Sequence, residues 1–285
     1  MAGHPAAVIF IQLKEVLRMH SYTEYEIFDA HTHIFPEKIA DKAAVAIGDF
    51  YGIPMKYSGH SRKLIKSGSK IGVRKYLVCS TATVPEQTEK INDFIIEECR
   101  LHSEFIGFGT LHPDTENMDT EIEKMLKNGL RGVKLHPDFQ KFNIDDEKAM
   151  NIYKKLAGVL PVLIHMGDDR YDYSSPERLY RVKQKLPELE VFAAHFGGYQ
   201  RWEEAAQYLL SLDNIHFDTS STLGMISVEY AQKIVSRFDT DKLLFGTDFP
   251  MWDHEEELKR FFRLELSDEV NKKILSENFK RIFNI

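Results

Sequence analysis

Asp29-Ala30-His31-Thr32-His33 places two imidazoles one residue apart in an apolar, strand-like run. Side chains alternate along a strand, so both rings must point to the same side. Two imidazoles aimed at one spot can hold a metal ion or stand as neighbours on a surface strand, and these residues alone do not separate the two. Four more segments carry side chains of this kind: Lys134 and His136 in "GVKLHP", His165 in "LIHMG", His195 in "AAHFGG" and Asp248 in "LLFGTDFP". Imidazoles with one carboxylate and no thiolate suit zinc, and also manganese, iron or nickel. Three or four protein ligands that leave a position open activate a water near neutral pH.

Such residues need elements to bring them together. Apolar strand-like runs occur at 27–34, 75–81, 105–111, 132–136, 161–165, 191–195, 215–219 and 242–247. Apart from a longer first interval they begin roughly 24 to 30 residues apart, the spacing of strand-plus-helix units. The pattern predicts an α/β fold, a (β/α)8 TIM barrel, over residues 27–285, with 1–26 as an extension. Helical spacing of apolar residues predicts helices over 86–101 and 120–128, and a closing amphipathic helix over 267–283 built on Val270, Ile274, Phe279 and Ile282. Ser175 stands before Pro176 as a helix cap, and Asp253 with Glu256 resembles a capping box. The long first interval, about 35–72, reads as a lid-like or substrate-binding insertion.

In such a barrel the active site lies at the carboxyl ends of the strands. Six of the twelve histidines fall there: His31, His33, His112, His136, His165 and His195. Asp248 marks the same rim on strand eight. His112 precedes a proline and suits a turn as readily as a substrate contact. His216 begins strand seven at the opposite end and is expected to take no part, while His60, His102 and His254 carry no signal beyond the place of His60 in the insertion. Asp168 beyond His165, Arg62 in the insertion and Trp252 beyond Asp248 are the candidates for substrate contact.

Composition narrows the partners. The 285 residues are 43% hydrophobic and 28% charged with a net charge of −7, which fits a globular chain with a sizeable core and excludes a basic nucleic-acid surface or polybasic membrane patch. A small molecule is the expected partner. Two cysteines, Cys79 and Cys99, are too few for a disulfide framework or a thiolate zinc site and suit a reducing cytoplasm. The apolar run 6–13 has neither a basic leader nor a cleavage pattern, and no other run approaches a membrane span. Codons for Lys14-Glu15-Val16 can spell a ribosome-binding site just ahead of Met19, so translation is expected to start there.

The five motifs, in their order, resemble the amidohydrolase superfamily, and more narrowly its branch of metal-dependent hydrolases related to aminocarboxymuconate-semialdehyde decarboxylase. The likeness runs from about residue 27 to the end, where "ILSENFKRIF" is similar to that branch's closing helix. The resemblance implies that His31, His33, His165 and Asp248 hold the metal and that Asp248 also accepts a proton from water. It implies that His195 orients the water or acts as acid/base in one-metal members, and ligates a second ion in two-metal members. A strand-four lysine is carboxylated and bridges the ions in the latter, and "KLHP" resembles the "KLYP" of dihydroorotases. The decarboxylase branch has one metal and no bridge, and one ion is expected here, with Lys134 or His136 lining the pocket. The expected activity is hydrolysis of an amide, ester or lactone. The alternatives are non-oxidative decarboxylation of a small unsaturated or aromatic acid, and a non-catalytic binding relative. Relatives are often dimers, which makes a homodimer compatible with the resemblance.

Overall fold

The computed structural model describes residues 24–285, so the expected start at Met19 and the run 6–13 lie outside the described residues. Eight parallel strands follow one another in chain order: β1 (Ile27–His33), β2 (Val73–Cys79), β3 (Phe105–Thr110), β4 (Gly132–Leu135), β5 (Val162–Ile164), β6 (Val191–Ala193), β7 (Ile215–Asp218) and β8 (Leu243–Leu244). The last strand is short, and the residues after it close the ring onto β1. Ala30 N–H donates to the Phe245 carbonyl at 2.8 Å, Asp248 N–H to His31 O at 2.8 Å, and His33 N–H to Phe249 O at 2.7 Å. The expected (β/α)8 barrel is therefore the fold.

Strands covered on both faces must be apolar on both. Toward the outer helices they present Ile27, Val78, Val133, Val162 and Val191. Toward the barrel interior they present Phe28, Ala30, Leu77, Ile106, Phe108, Leu163, Phe192, Ala194 and Leu244, together with Phe279 and Phe283 of the closing segment. That segment is three pieces rather than one regular helix: Asp268–Lys272, a π-helical stretch Lys273–Glu277, and Asn278–Phe283. Phe279 meets Phe28 edge-on at 5.2 Å and Phe283 stacks on Phe192 at 5.7 Å, which fills the amino end of the barrel.

The helices Thr88–Leu101 and Met118–Lys127 occupy the expected positions. Asp253 caps the helix His254–Phe262 by accepting from the Glu255 and Glu256 amides. Glu256 itself turns to Lys56, so only half of the capping box forms. The insertion holds two helices, Glu37–Tyr51 and Ser61–Ser69, the first ended by Gly52 at φ 66°. No helix among the described residues is long and apolar enough to cross a membrane.

One glycine ties two rim loops together. Gly167 has φ 92°, and a Cβ there would lie 2.3 Å from Tyr199 O and 2.4 Å from Tyr199 N. Gly167→Ala is expected to cost on the order of 2 kcal/mol and to lower Tm by about 4–8 °C in thermal denaturation.

Candidate metal centre

Local backbone geometry decides which side chains reach the rim. Simple alternation from Phe28 and Ala30 would send His31 outward. A register shift between Asp29 and Thr32 in the pairing with β2 inserts one extra residue and reverses the parity. Phe28 and Ala30 then face the interior below, and His31 and His33 face it above. His195 and Asp248 lie just past their strands, at φ 60° and 57°, and Asp168 sits at 76°. Each left-handed non-glycine residue costs about 1–2 kcal/mol, so these turns are held by their surroundings.

Three donor atoms converge. His31 Nε2 and His33 Nε2 are 3.2 Å apart, and Asp248 Oδ1 is 3.1 Å from His33 Nε2 and 3.7 Å from His31 Nε2. Atoms sharing an ion at ordinary bond lengths lie roughly 3–3.5 Å apart, so this set fits a divalent metal. A second pair faces itself alongside, with His165 Nδ1 3.0 Å from His195 Nε2. Lys134 is fully buried and its Nζ lies 3.1 Å from His31 Nε2. Of the four ligands that the resemblance implies, three therefore meet at one point. His165 belongs to the neighbouring pair, and its Nε2 lies 3.4 Å from Asp138 Oδ2.

A metal-binding imidazole characteristically has its other nitrogen anchored. His31 Nδ1 is 3.0 Å from Asp218 Oδ2, His33 Nδ1 is 3.5 Å from Cys79 Sγ, and His195 Nδ1 is 2.9 Å from Ser220 Oγ. The electrostatics agree. Burial, reinforced by Lys134, lowers His31, and burial takes His195 down to about 4 and His136 and His165 well below their ordinary range. Burial opposes ionisation of Asp248, but the imidazoles of His31, His33 and His195 outweigh it and hold the carboxyl well below its usual range. Burial would also depress His33, but Cys79 and Asp248 overcome it and raise that imidazole to about 9. Burial lowers the Lys134 amine. The result is a set of lone pairs and one carboxylate turned inward, with cationic partners disfavoured by burial at most positions.

The remaining candidates divide. His136 stacks on His165 at 4.0 Å and on Phe139 at 3.8 Å. Its Nδ1 and both oxygens of the buried Asp138 lack hydrogen-bond partners. Asp168 is buried but taken up by Arg170, whose Nε and Nη2 donate to its two oxygens at 2.9 and 2.7 Å. Trp252 donates its indole N–H to Ser221 Oγ at 2.9 Å, beside Asp248. Arg62 is not brought to the rim: it is largely exposed on the second insertion helix and pairs with Glu37 at 3.2 Å. His112 accepts the Asp114 amide in a turn, and His216 pairs with Glu190 at 3.1 Å.

Two residues at the centre, Tyr51 and Asp218, and one buried histidine outside it, His254, carry no mark in the sequence pattern. Tyr51, at the end of the first insertion helix, places its hydroxyl 3.0 Å from His136 Nε2 and 3.4 Å from His165 Nε2. Nothing in the pattern distinguishes it from neighbouring aromatics. Asp218 stands at the carboxyl end of β7, where the rim rule applied to histidines would have found it had it been applied to carboxylates. His254, which carried no signal, is fully buried with Nδ1 2.8 Å from Ser67 Oγ and Nε2 3.1 Å from Asp29 Oδ2.

Eight parallel strands carrying a candidate metal centre at their carboxyl ends are the architecture of a metal-dependent TIM-barrel protein, and the family match makes the class definite. The family model described as Amidohydrolase matches residues 28–285, and the chain belongs to that family. No curated protein matches it. Among solved structures, an uncharacterized TIM-barrel protein from Bordetella bronchiseptica is similar at TM-score 0.73 and 17% identity, covering 91% of this chain and 98% of its own. A 2,6-dihydroxybenzoate decarboxylase complexed with 2,6-dihydroxybenzoate is similar at TM-score 0.71 and 15% identity, covering 91% and 99%. A 5-carboxyvanillate decarboxylase from Novosphingobium aromaticivorans, complexed with manganese and 4-hydroxy-3-methoxy-5-nitrobenzoic acid, is similar at TM-score 0.68 and 18% identity, covering 92% and 97%. At these identities the likeness is one of fold.

The neutral imidazoles give a signed expectation for pH. His195 has a folded value of about 4 against an ordinary 6.5, so below 6.5 the unfolded chain binds the extra proton first. The stability this burial permits is present above pH 6.5 and lost as pH falls toward 4. From pH 6.5 to 4 the Tm of metal-free protein, measured by scanning calorimetry in chelator, is expected to fall more steeply for the parent than for His195→Gln, because Asp138 and Glu257, raised by burial to about 7, act in the opposite sense in both; equal slopes would contradict a neutral His195.

Proposed function

We propose that the protein is a metal-dependent decarboxylase of a small unsaturated or aromatic carboxylic acid. The observation that carries this reading is the aromatic wall beside the donor cluster. Tyr51 and Tyr199 meet at 5.8 Å, Phe139 lies 6.1 Å from Tyr51, and His136 is stacked between Phe139 and His165. Such a wall suits a flat, conjugated substrate whose carboxylate points toward the imidazoles. The decarboxylases among the similar structures support the same order of preference over hydrolysis.

The divalent ion would be held by His31, His33 and Asp248, with His165 and His195 adjacent. When bound it supplies Lewis-acid polarisation of substrate oxygens. Zinc and manganese both suit these donors. The chain's own residues do the rest. The substrate's bond to its carboxylate carbon breaks, carbon dioxide leaves, and the electron pair stays on the ring or alkene carbon, which must then take a proton. That proton comes from solvent, and neutral His195, whose ring lies 6.0 Å from Tyr199 and which feels the Asp248 carboxylate, is the group placed to relay it to the carbon. Tyr51 lies over His136 and His165 with its hydroxyl against both rings.

A second reading, hydrolysis of an amide, ester or lactone, is favoured by one observation. The fully buried Lys134 amine lies against His31 Nε2 while His165 and His195 face each other, an arrangement compatible with a carboxylated lysine between two ions. The readings separate in one assay. Protein supplied with Mn2+ is expected to release carbon dioxide from hydroxybenzoates or unsaturated acids and to leave lactones and amides intact; the reverse result, with two ions per chain by elemental analysis, assigns hydrolysis. His31→Ala and Asp248→Ala are expected to lose activity by about a thousandfold, corresponding to several kcal/mol of lost stabilisation.

A further inference from the structure

The outer contacts of the candidate centre come mainly from one short stretch. Strand β7 supplies no imidazole to the centre, since its His216 pairs with Glu190 at the other end, yet residues 218–222 touch three of the groups that face the centre. Asp218 Oδ2 lies 3.0 Å from His31 Nδ1. Ser220 Oγ lies 2.9 Å from His195 Nδ1 and 3.1 Å from His31 Nδ1. Ser221 donates its hydroxyl proton to Asp248 Oδ2 at 2.5 Å.

The stretch is itself braced. Ser220 donates to Asp218 Oδ1 at 2.5 Å, Thr222 to the Ser220 carbonyl at 3.1 Å, and the Trp202 indole to Thr222 Oγ1 at 3.2 Å. All five residues are buried, and Ser221 sits at φ 47°, a conformation a serine does not adopt without support. An indole N–H only donates, whereas a hydroxyl has one proton and two lone pairs. The ionised Asp248 carboxyl only accepts, so the single Ser221 proton goes to its Oδ2, and the Trp252 N–H holds the hydroxyl in that orientation by occupying a Ser221 lone pair. Oδ1 is then the oxygen left facing His31 and His33.

We propose that residues 218–222 form a positioning strap that selects which lone pair each metal-facing group presents, with Ser221 and Trp252 as the pair that sets Asp248. The inference rests on reading the centre as a metal site. Its residues are positioning residues, and their effect appears first in the metal itself.

The test is calorimetric titration of chelator-treated protein with Mn2+ alone, together with the visible absorption spectrum of the Co2+-loaded form, for the parent, Ser221→Ala, Trp252→Phe and His31→Ala. Ser221→Ala and Trp252→Phe are each expected to weaken Mn2+ binding by about tenfold or more and to shift the Co2+ bands, both read at a temperature where each metal-free variant is folded. His31→Ala is expected to abolish binding. If His31→Ala binds like the parent, the metal reading fails. If His31→Ala abolishes binding while Ser221→Ala and Trp252→Phe bind Mn2+ like the parent and leave the Co2+ spectrum unchanged, the strap proposal is overturned. Trp252→Phe decides the matter alone if Ser221→Ala does not fold.

Discussion

The rim depends on one constraint: several imidazoles and a lysine amine are buried within a few ångströms of one another, where water cannot solvate their charged forms. Ionising them all would be prohibitive at low dielectric, so the cluster persists by staying largely neutral and by turning lone pairs inward. Asp248 and Asp218 supply the negative charge that makes this tolerable, one facing the centre and the other behind His31. A cation brought among these lone pairs would meet donors already aligned. The polarity inside the barrel and its capacity to hold a metal are thus the same property.

The fold was legible because its signals are periodic. Eight apolar runs at a regular interval define the barrel, and the carboxyl-end rule then points to the rim. His31, His33, Lys134, His165, His195 and Asp248 all meet there. The rule of alternation gave the right relation between His31 and His33, but it does not explain why both share the interior with Phe28 and Ala30. That follows from a one-residue bulge with no mark in the sequence. His195 and Asp248 likewise reach the site through left-handed turns, which neither residue type announces.

What was not legible depended on tertiary direction. Arg62 and Tyr51 belong to the same insertion, and a charged residue was the natural choice for contacting an acidic substrate. The two helices of the insertion turn Arg62 to solvent and lay Tyr51 over His136 and His165. Asp253 shows the same limit on a smaller scale. It caps its helix as the pattern implies, while its expected partner Glu256 is drawn away by Lys56.

Phe279 and Phe283 pack against Phe28, Phe108 and Phe192 at the end of the barrel opposite the histidines. With that end stoppered by aromatic rings, the buried imidazoles face the carboxyl rim, where the Tyr51 hydroxyl already lies against two of them. Any group that approaches His136 Nε2 or His165 Nε2 must therefore compete with a phenol hydroxyl that is already set against both.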